Sequence, residues 1–467
     1  MSMMHDQSLH DQSRRAFLKR SALLGLAGTA TPFVSSLAAI GEAAAATASD
    51  YKALVCVFLY GGNDYANTLV PYDEGSFAAY RAARANIGYQ RDVLAGTLLN
   101  PSVALPDGRA YALSPSMPEM SQLFAAGKMA VALNVGTLVE PTTKSQYQKR
   151  SVRLPPKLFS HNDQQSFFQA SSPEGAGSGW GGRIGDVFQN GNGNAALTCI
   201  NATGNAVYLT GRSAIQYSVG TGGPVALLNS SRTLYGSSTA LDTLRTLMTS
   251  DSSLAIASEH ARISKRALDI QAQLSSALAG APATSFPLFP SNNPLADQLK
   301  MVARMISVSQ TLGLKRQVFF VSLGGFDLHD NLVAQHPGLL ARMSSAMKAF
   351  YDTTEAMGVA NQVTSFTASD FGRTLQSNDD GSDHGWGGMH FVVGGAVRGQ
   401  RLYGKAPTVG VNNNDDVGQG RLIPTMSVDQ YAATLASWFG IDSGGLRTVL
   451  PSIGNYDSST WNQGFMG

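Results

Sequence analysis

The chain has little cysteine and little charge. Two cysteines, Cys56 and Cys199, stand in 467 residues, with no CxxC pair and no zinc-knuckle spacing, so neither a disulfide framework nor a thiolate zinc site organises the fold. Cys56 lies in an apolar run, where a small buried thiol is the expectation, with a bridge the alternative in an oxidising compartment. Charged residues make up 14% against a usual ~25%. A formal net charge of +2 excludes the basic balance of a nucleic-acid binder. After the N-terminal region no segment is long and apolar enough for a stable membrane span. No solenoid repeat and no Gly-x-Ser-x-Gly elbow occurs. Glycine, at 49 residues, and small polar residues take up the difference, a composition suited to a loop-rich exported protein.

The N-terminus sets the expected compartment. Ser13-Arg14-Arg15-Ala16-Phe17-Leu18-Lys19 reads as a twin-arginine export signal, followed by a mildly apolar stretch, Ala22 to Ile40, and A-x-A cleavage sites in Ala43–Ala48. Residues 1–48 are therefore expected to be a signal peptide and cleavage region, and 49–467 one exported domain, periplasmic or extracellular. That route carries folded proteins, often with a cofactor already installed.

The remainder alternates strands and helices. Ala53–Tyr60 is apolar on both faces, as in a central parallel strand. Ser116-Met117-Pro118 predicts a helix start with serine at the cap, and Met129–Val135 the next strand. From about 171 to 252 glycine, serine, asparagine and threonine dominate, with β-like pieces at Ala206–Thr210 and Ile215–Val219. This stretch is expected as an insertion beside the sheet. Helices are predicted over Leu254–Leu278, Pro294–Leu312, Gly338–Met357 and from a Ser427 cap through Trp438, and strands over Val318–Leu323, Val363–Thr367 and Phe391–Val393.

Three of these strands end alike, in small residues and then aspartate: Gly61-Gly62-Asn63-Asp64, Gly324-Gly325-Phe326-Asp327-Leu328-His329, and Ala368-Ser369-Asp370-Phe371-Gly372, with Asp383-His384-Gly385 close behind. Open α/β sheets place ligand chemistry at the carboxyl ends of their strands. Asp327 and His329 share a face when extended, and five of the six histidines beyond the signal (161, 329, 336, 384, 390) lie in or near these segments. Mixed carboxylate and imidazole donors suit zinc, manganese or iron. Each piece also has a plain structural use. Asp64 fits a turn or helix cap, Asp327 a cap, and His329 the surface. Asp370 fits an ion pair with Arg373, and His390 a core position.

On these motifs, together with Asn67-Thr68, Pro71 and Ser160-His161-Asn162-Asp163-Gln164, the chain resembles an uncharacterised family of twin-arginine-exported bacterial proteins in the alkaline phosphatase/sulfatase superfamily. The resemblance implies an α/β fold with a large, mostly parallel sheet flanked by helices. It also implies a one- or two-metal centre that transfers phosphoryl or sulfuryl groups. Asp64 and Asp370 resemble the aspartates of one metal site, Asp327 with His329 the pair of the other, and His384 its later histidine, with His390 as rival. Phe371 stands where the superfamily has a histidine after the late aspartate, and no Cys-x-Pro-x-Arg of conventional sulfatases is present. Ser160, beside His161, is the candidate nucleophile, with a metal-bound water as the alternative; Asn63 and His161 are candidate substrate contacts.

The expected function is an exported, metal-dependent hydrolase of phosphate or sulfate esters, acting on a small-molecule or glycan ester with one or two divalent ions and no nucleic acid. The rival from another class is a non-catalytic, phosphatase-like binding protein of the cell envelope. Gly61-Gly62-Asn63-Asp64 also resembles the Gly-x-Asn-Asp block of SGNH-type esterases. There, however, the block follows a nucleophile, and here it ends the first strand.

Overall fold

A computed structural model describes residues 51–225 and 233–467; the proposed signal lies outside them. Its frame is a ten-stranded sheet. In chain order the strands are β1 (Lys52–Leu59), β2 (Leu69–Pro71), β3 (Tyr111–Leu113), β4 (Met129–Gly136), β5 (Cys199–Asn201), β6 (Tyr217–Gly220) and β7 (Gly223–Pro224). They continue as β8 (Arg316–Leu323), β9 (Val363–Ser369), β10 (Arg373–Ser377), β11 (Ser382–His384), β12 (Gly388–Gly394), β13 (Arg401–Tyr403) and β14 (Met426–Ser427). The large sheet runs β13-β4-β12-β9-β1-β8-β5-β6-β7, with β14 on β4; β2 pairs with β3 and β10 with β11. Most pairings are parallel. β12 is the antiparallel exception inside the sheet, and β7 the one at its edge. This is the α/β architecture expected.

The two-residue period of a strand explains why β1 is apolar throughout. Ala53, Val55, Val57 and Leu59 enter one core with Phe319 and Val321. Leu54, Cys56 and Phe58 enter the other with Val318 and Phe320. Helices Pro118–Ala125, Pro294–Ser307 and Leu332–Ala356 cover the first face through residues such as Leu123, Leu299 and Met343. Trp180–Phe188 and Val428–Phe439 cover the second through Trp180, Ile184, Tyr431 and Leu435. Both cysteines are buried and free. Among the described residues no helix is long and apolar enough to cross a membrane.

Several local expectations shift. Ser116 does not cap its helix: Met117 holds that place without a side-chain bond, and Pro118 at the first turn supplies the start signal alone. Ala206–Thr210 folds as a short 3-10 turn, Val207–Leu209. The 332–356 helix begins six residues before Gly338 and carries Pro337 within it. The Gly/Ser-rich stretch supplies β5, β6 and β7 at one end of the main sheet, beside β8.

Parallel register aligns the three chemistry-bearing strands. Leu59 of β1 sits opposite Leu323 of β8 and Ser369 of β9, so the segments after residues 59, 323 and 369 leave the same edge side by side.

Candidate metal centre

Four elements meet at that edge. The turn after β8 brings Asp327 and His329. The β10–β11 hairpin, which pairs Arg373 with His384, brings those two residues. The loop after β9 brings Asp370 and Phe371. Helix His161–Ala170 begins there with His161. Small residues let these backbones touch. Gly61 has φ +113°, and a Cβ on it would lie 2.3 Å from the Asp327 amide nitrogen. A Cβ on Gly372 would lie 2.0 Å from the Gly387 carbonyl oxygen.

Asp327 is the hub. Its Oδ1 lies 2.7 Å from Arg373 Nη1, 3.1 Å from His329 Nε2 and 3.2 Å from His384 Nε2. Its Oδ2 lies 3.3 Å from His161 Nε2. Burial pushes the Asp327 carboxyl up, but the Arg373 hydrogen bond and charge, with the histidines, outweigh it and hold the group below the usual carboxylate range. Arg373 is fully buried and also donates to the carbonyls of Gly61 and Ser382.

Each imidazole is oriented from behind. His161 Nδ1 is 2.7 Å from Asp370 Oδ2, His329 Nδ1 3.1 Å from Asp383 Oδ1, and His384 Nδ1 2.7 Å from the Phe159 carbonyl oxygen. All three partners are acceptors, so each Nδ1 carries a proton and each ring turns its Nε2 toward the Asp327 carboxylate. His329 Nε2 and His384 Nε2 are then 2.9 Å apart. His161 Nε2 is buried and has no hydrogen-bond geometry to any partner, its contact with Asp327 included. His161, Asp327 and His384 offer ligand atoms within 4.8 Å of one another. His384 Nε2 is also within hydrogen-bond geometry of Asp327 Oδ1, and with the Nε2 atoms unprotonated the same arrangement offers its lone pairs and the carboxylate to one cation. The donor set, three imidazoles backed by acceptors and one carboxylate, fits zinc, manganese or iron.

The Asp370 hydrogen bond, over opposing burial, raises the His161 pKa. Burial lowers that of His384 and raises that of Asp370. The Phe371 ring sits against His161 and His384, with centroids 4.9 and 4.8 Å away.

The structure thus gathers Asp327, His329, His384 and His161, with Asp370 behind His161. The remaining expected site residues are engaged with other partners. Asp64 is 1% exposed, and its carboxylate accepts from Arg84, from Ser382 Oγ at 2.6 Å and from the Asn67 amide at 2.9 Å, as a helix cap. Asn63 is buried against Thr68 and His336. His390 lies in the core between Phe168 and Tyr431, 3.3 Å from Thr367 Oγ1, and burial lowers its pKa to about 3. The Ser160 hydroxyl donates to Asp163 on the helix that Ser160 precedes. Arg373 pairs with Asp327, not Asp370. Sequence reading missed Asp383 and the Phe159 carbonyl as orienting partners, and Arg84. A backbone carbonyl leaves no trace in a sequence. An arginine 20 residues from the acid it pairs with forms no recognisable pattern, although Asp383 stood in view beside His384.

The chain belongs to the family described as "Protein of unknown function (DUF1501)", which matches residues 51–447. No curated protein matches it in sequence. Among solved structures, the chain is similar to the C-terminal periplasmic domain of EcEptC from Escherichia coli in complex with Zn: 9% identity, 90% of this chain and 92% of that one, TM-score 0.34. It is also similar to the lipoteichoic acid synthase LtaP from Listeria monocytogenes, at 9%, 88%, 79% and 0.32. A third is the Bacteroides thetaiotaomicron protein BT33494S-sulf, at 11%, 84%, 73% and 0.32.

Proposed function

We propose that this chain is an exported, metal-dependent hydrolase of phosphate or sulfate esters, working at a single divalent ion held by His161, Asp327 and His384 with His329 beside them. The observation that carries the reading is the convergence of three acceptor-backed imidazoles on one carboxylate. The ester class comes from the sequence resemblance, as does export through the twin-arginine route. A single ion fits because Asp64 is engaged by Arg84 and Asp370 by His161.

When bound, such an ion polarises an ester oxygen and brings the pKa of water toward neutrality. The chain's residues prepare the place. Asp370 keeps the His161 proton on Nδ1, Asp383 does the same for His329, and Arg373 offsets the charge on Asp327. Phe371 shields the inner side of the cluster from water. The nucleophile is Ser160 or a water. Ser160 has to leave its 3.1 Å bond to Asp163 to act.

That same hydroxyl direction favours a second reading, a metal-holding binding protein without turnover. Assaying zinc-, manganese- and iron-supplemented protein on a panel of aryl and sugar phosphates and sulfates separates the two. The hydrolase reading expects turnover that His384→Ala abolishes and Ser160→Ala reveals as serine- or water-dependent. Bound metal with no turnover on the whole panel supports the binding protein.

A further inference from the structure

Helix His161–Ala170 does more than present His161. Asn162, Gln165, Ser166 and Gln169 follow at one, four, five and eight residues, the spacing of a single helix face. They line a 250 Å³ pocket with Tyr60, Glu174 and Asn205. The pocket adjoins the cluster at two points. Asn162 follows His161 directly, and Tyr60 precedes Gly61, whose amide donates to Asp370 Oδ2 at 3.2 Å.

Resting on the hydrolase reading, we propose that this pocket seats the alcohol part of the ester, and that this part is an uncharged, hydroxyl-rich group of the size of one sugar ring. Amide side chains offer a donor and an acceptor without formal charge, as hydroxyls require. Gln169 is fixed by accepting from the Tyr208 amide at 3.1 Å. Gln165 makes only a 3.4 Å bond to Asn162, and the side chains of Asn205 and Glu174 have no hydrogen-bond partner among the described residues. Tyr60 adds an aromatic wall. No lysine or arginine lines the pocket, so a second anionic group would face Glu174 uncompensated. An alkyl chain would displace water from the amides and leave them unpaired, a cost that no new hydrogen bond offsets. The volume is below the ~300 Å³ where drug-sized sites begin, which suits one ring.

The test measures binding of methyl α-D-glucopyranoside, methyl α-D-glucuronide and 1-octanol, none of which carries a phosphate, by saturation-transfer NMR and titration calorimetry. The zinc-supplemented protein is compared with Gln165→Leu and Asn205→Leu, with thermal unfolding as the folding control. The glucoside is expected to bind the wild type and to bind each folded variant about tenfold more weakly, the loss of one or two hydrogen bonds, while the anionic glucuronide binds more weakly than the glucoside. Glucoside binding that is absent, or equal in wild type and both variants, overturns the assignment, as does preference for octanol. Ester turnover without glucoside binding overturns the pocket assignment and leaves the hydrolase reading intact. Variant-sensitive glucoside binding without any turnover retires the hydrolase and leaves a sugar site.

Discussion

Asp64 and Asp327 end neighbouring strands in similar glycine-rich sequence, yet they do different work. Asp64 is enclosed with Arg84, both side chains being 1% exposed or less, whereas Asp327 is 44% exposed and meets three imidazoles. Local sequence cannot separate the two, because the difference lies in Arg84, delivered from the end of another helix. Breaking a buried ion pair from one side costs about 3–5 kcal/mol. Asp64→Ala is therefore expected to lose that much in denaturant unfolding, while its folded fraction keeps wild-type metal content. A drop in metal at unchanged stability would instead make Asp64 a ligand. Asp370→Asn is expected to act through His161. With its orienting acceptor weakened, metal affinity should fall about 10- to 100-fold, read by competition with a chromophoric chelator, with little change in the fold of the apo protein.

At the scale of elements, the strand ends were the most legible part of the chain. β1 announces itself by a run that is apolar on both faces, β8 by Val318–Val321, and the ending these two share with β9 places Asp327 and Asp370 at one edge from the sequence alone. The short strands β5 to β7 were only partly legible, because two to four residues carry too little periodicity, and Val207–Leu209 tightened into a 3-10 turn under the same composition. The sequence marks His161 only as a candidate substrate contact beside Ser160. That its imidazole reaches Asp327 depends on how a helix far earlier in the chain docks against the end of β8, which spacing does not encode. The glycine clusters carried real information. Gly61→Ala is expected to push the Asp327 backbone outward, at a cost of about 1–3 kcal/mol in strain, and to lower metal affinity with it. Metal titration alongside thermal unfolding checks both; unchanged metal affinity would show that the close approach of the two loops is dispensable.

Over the whole molecule, two buried histidines link stability to pH. Burial lowers the pKa of His336 to about 4 and of His390 to about 3. Unfolded, each titrates near ~6.5. Below that value the unfolded chain binds protons that the folded chain refuses, so stability is full above about pH 6.5 and falls as pH drops toward 4. The slope is about 1.4 kcal/mol per pH unit for each histidine. Denaturant unfolding between about pH 7 and 5 is expected to show this loss, and His390→Leu to lower the slope by about 1.4 kcal/mol per pH unit; an unchanged slope would place the linkage elsewhere.

The metal centre is the claim on which the rest depends, and elemental analysis of the mature protein, folded in its native host and purified without chelator, tests it most directly. Zinc, manganese or iron near one equivalent is expected in the wild type, lost in Asp327→Ala and His384→Ala and retained in His390→Leu. A wild type empty of metal even after supplementation, or an Asp327→Ala variant as full as the wild type, would contradict it.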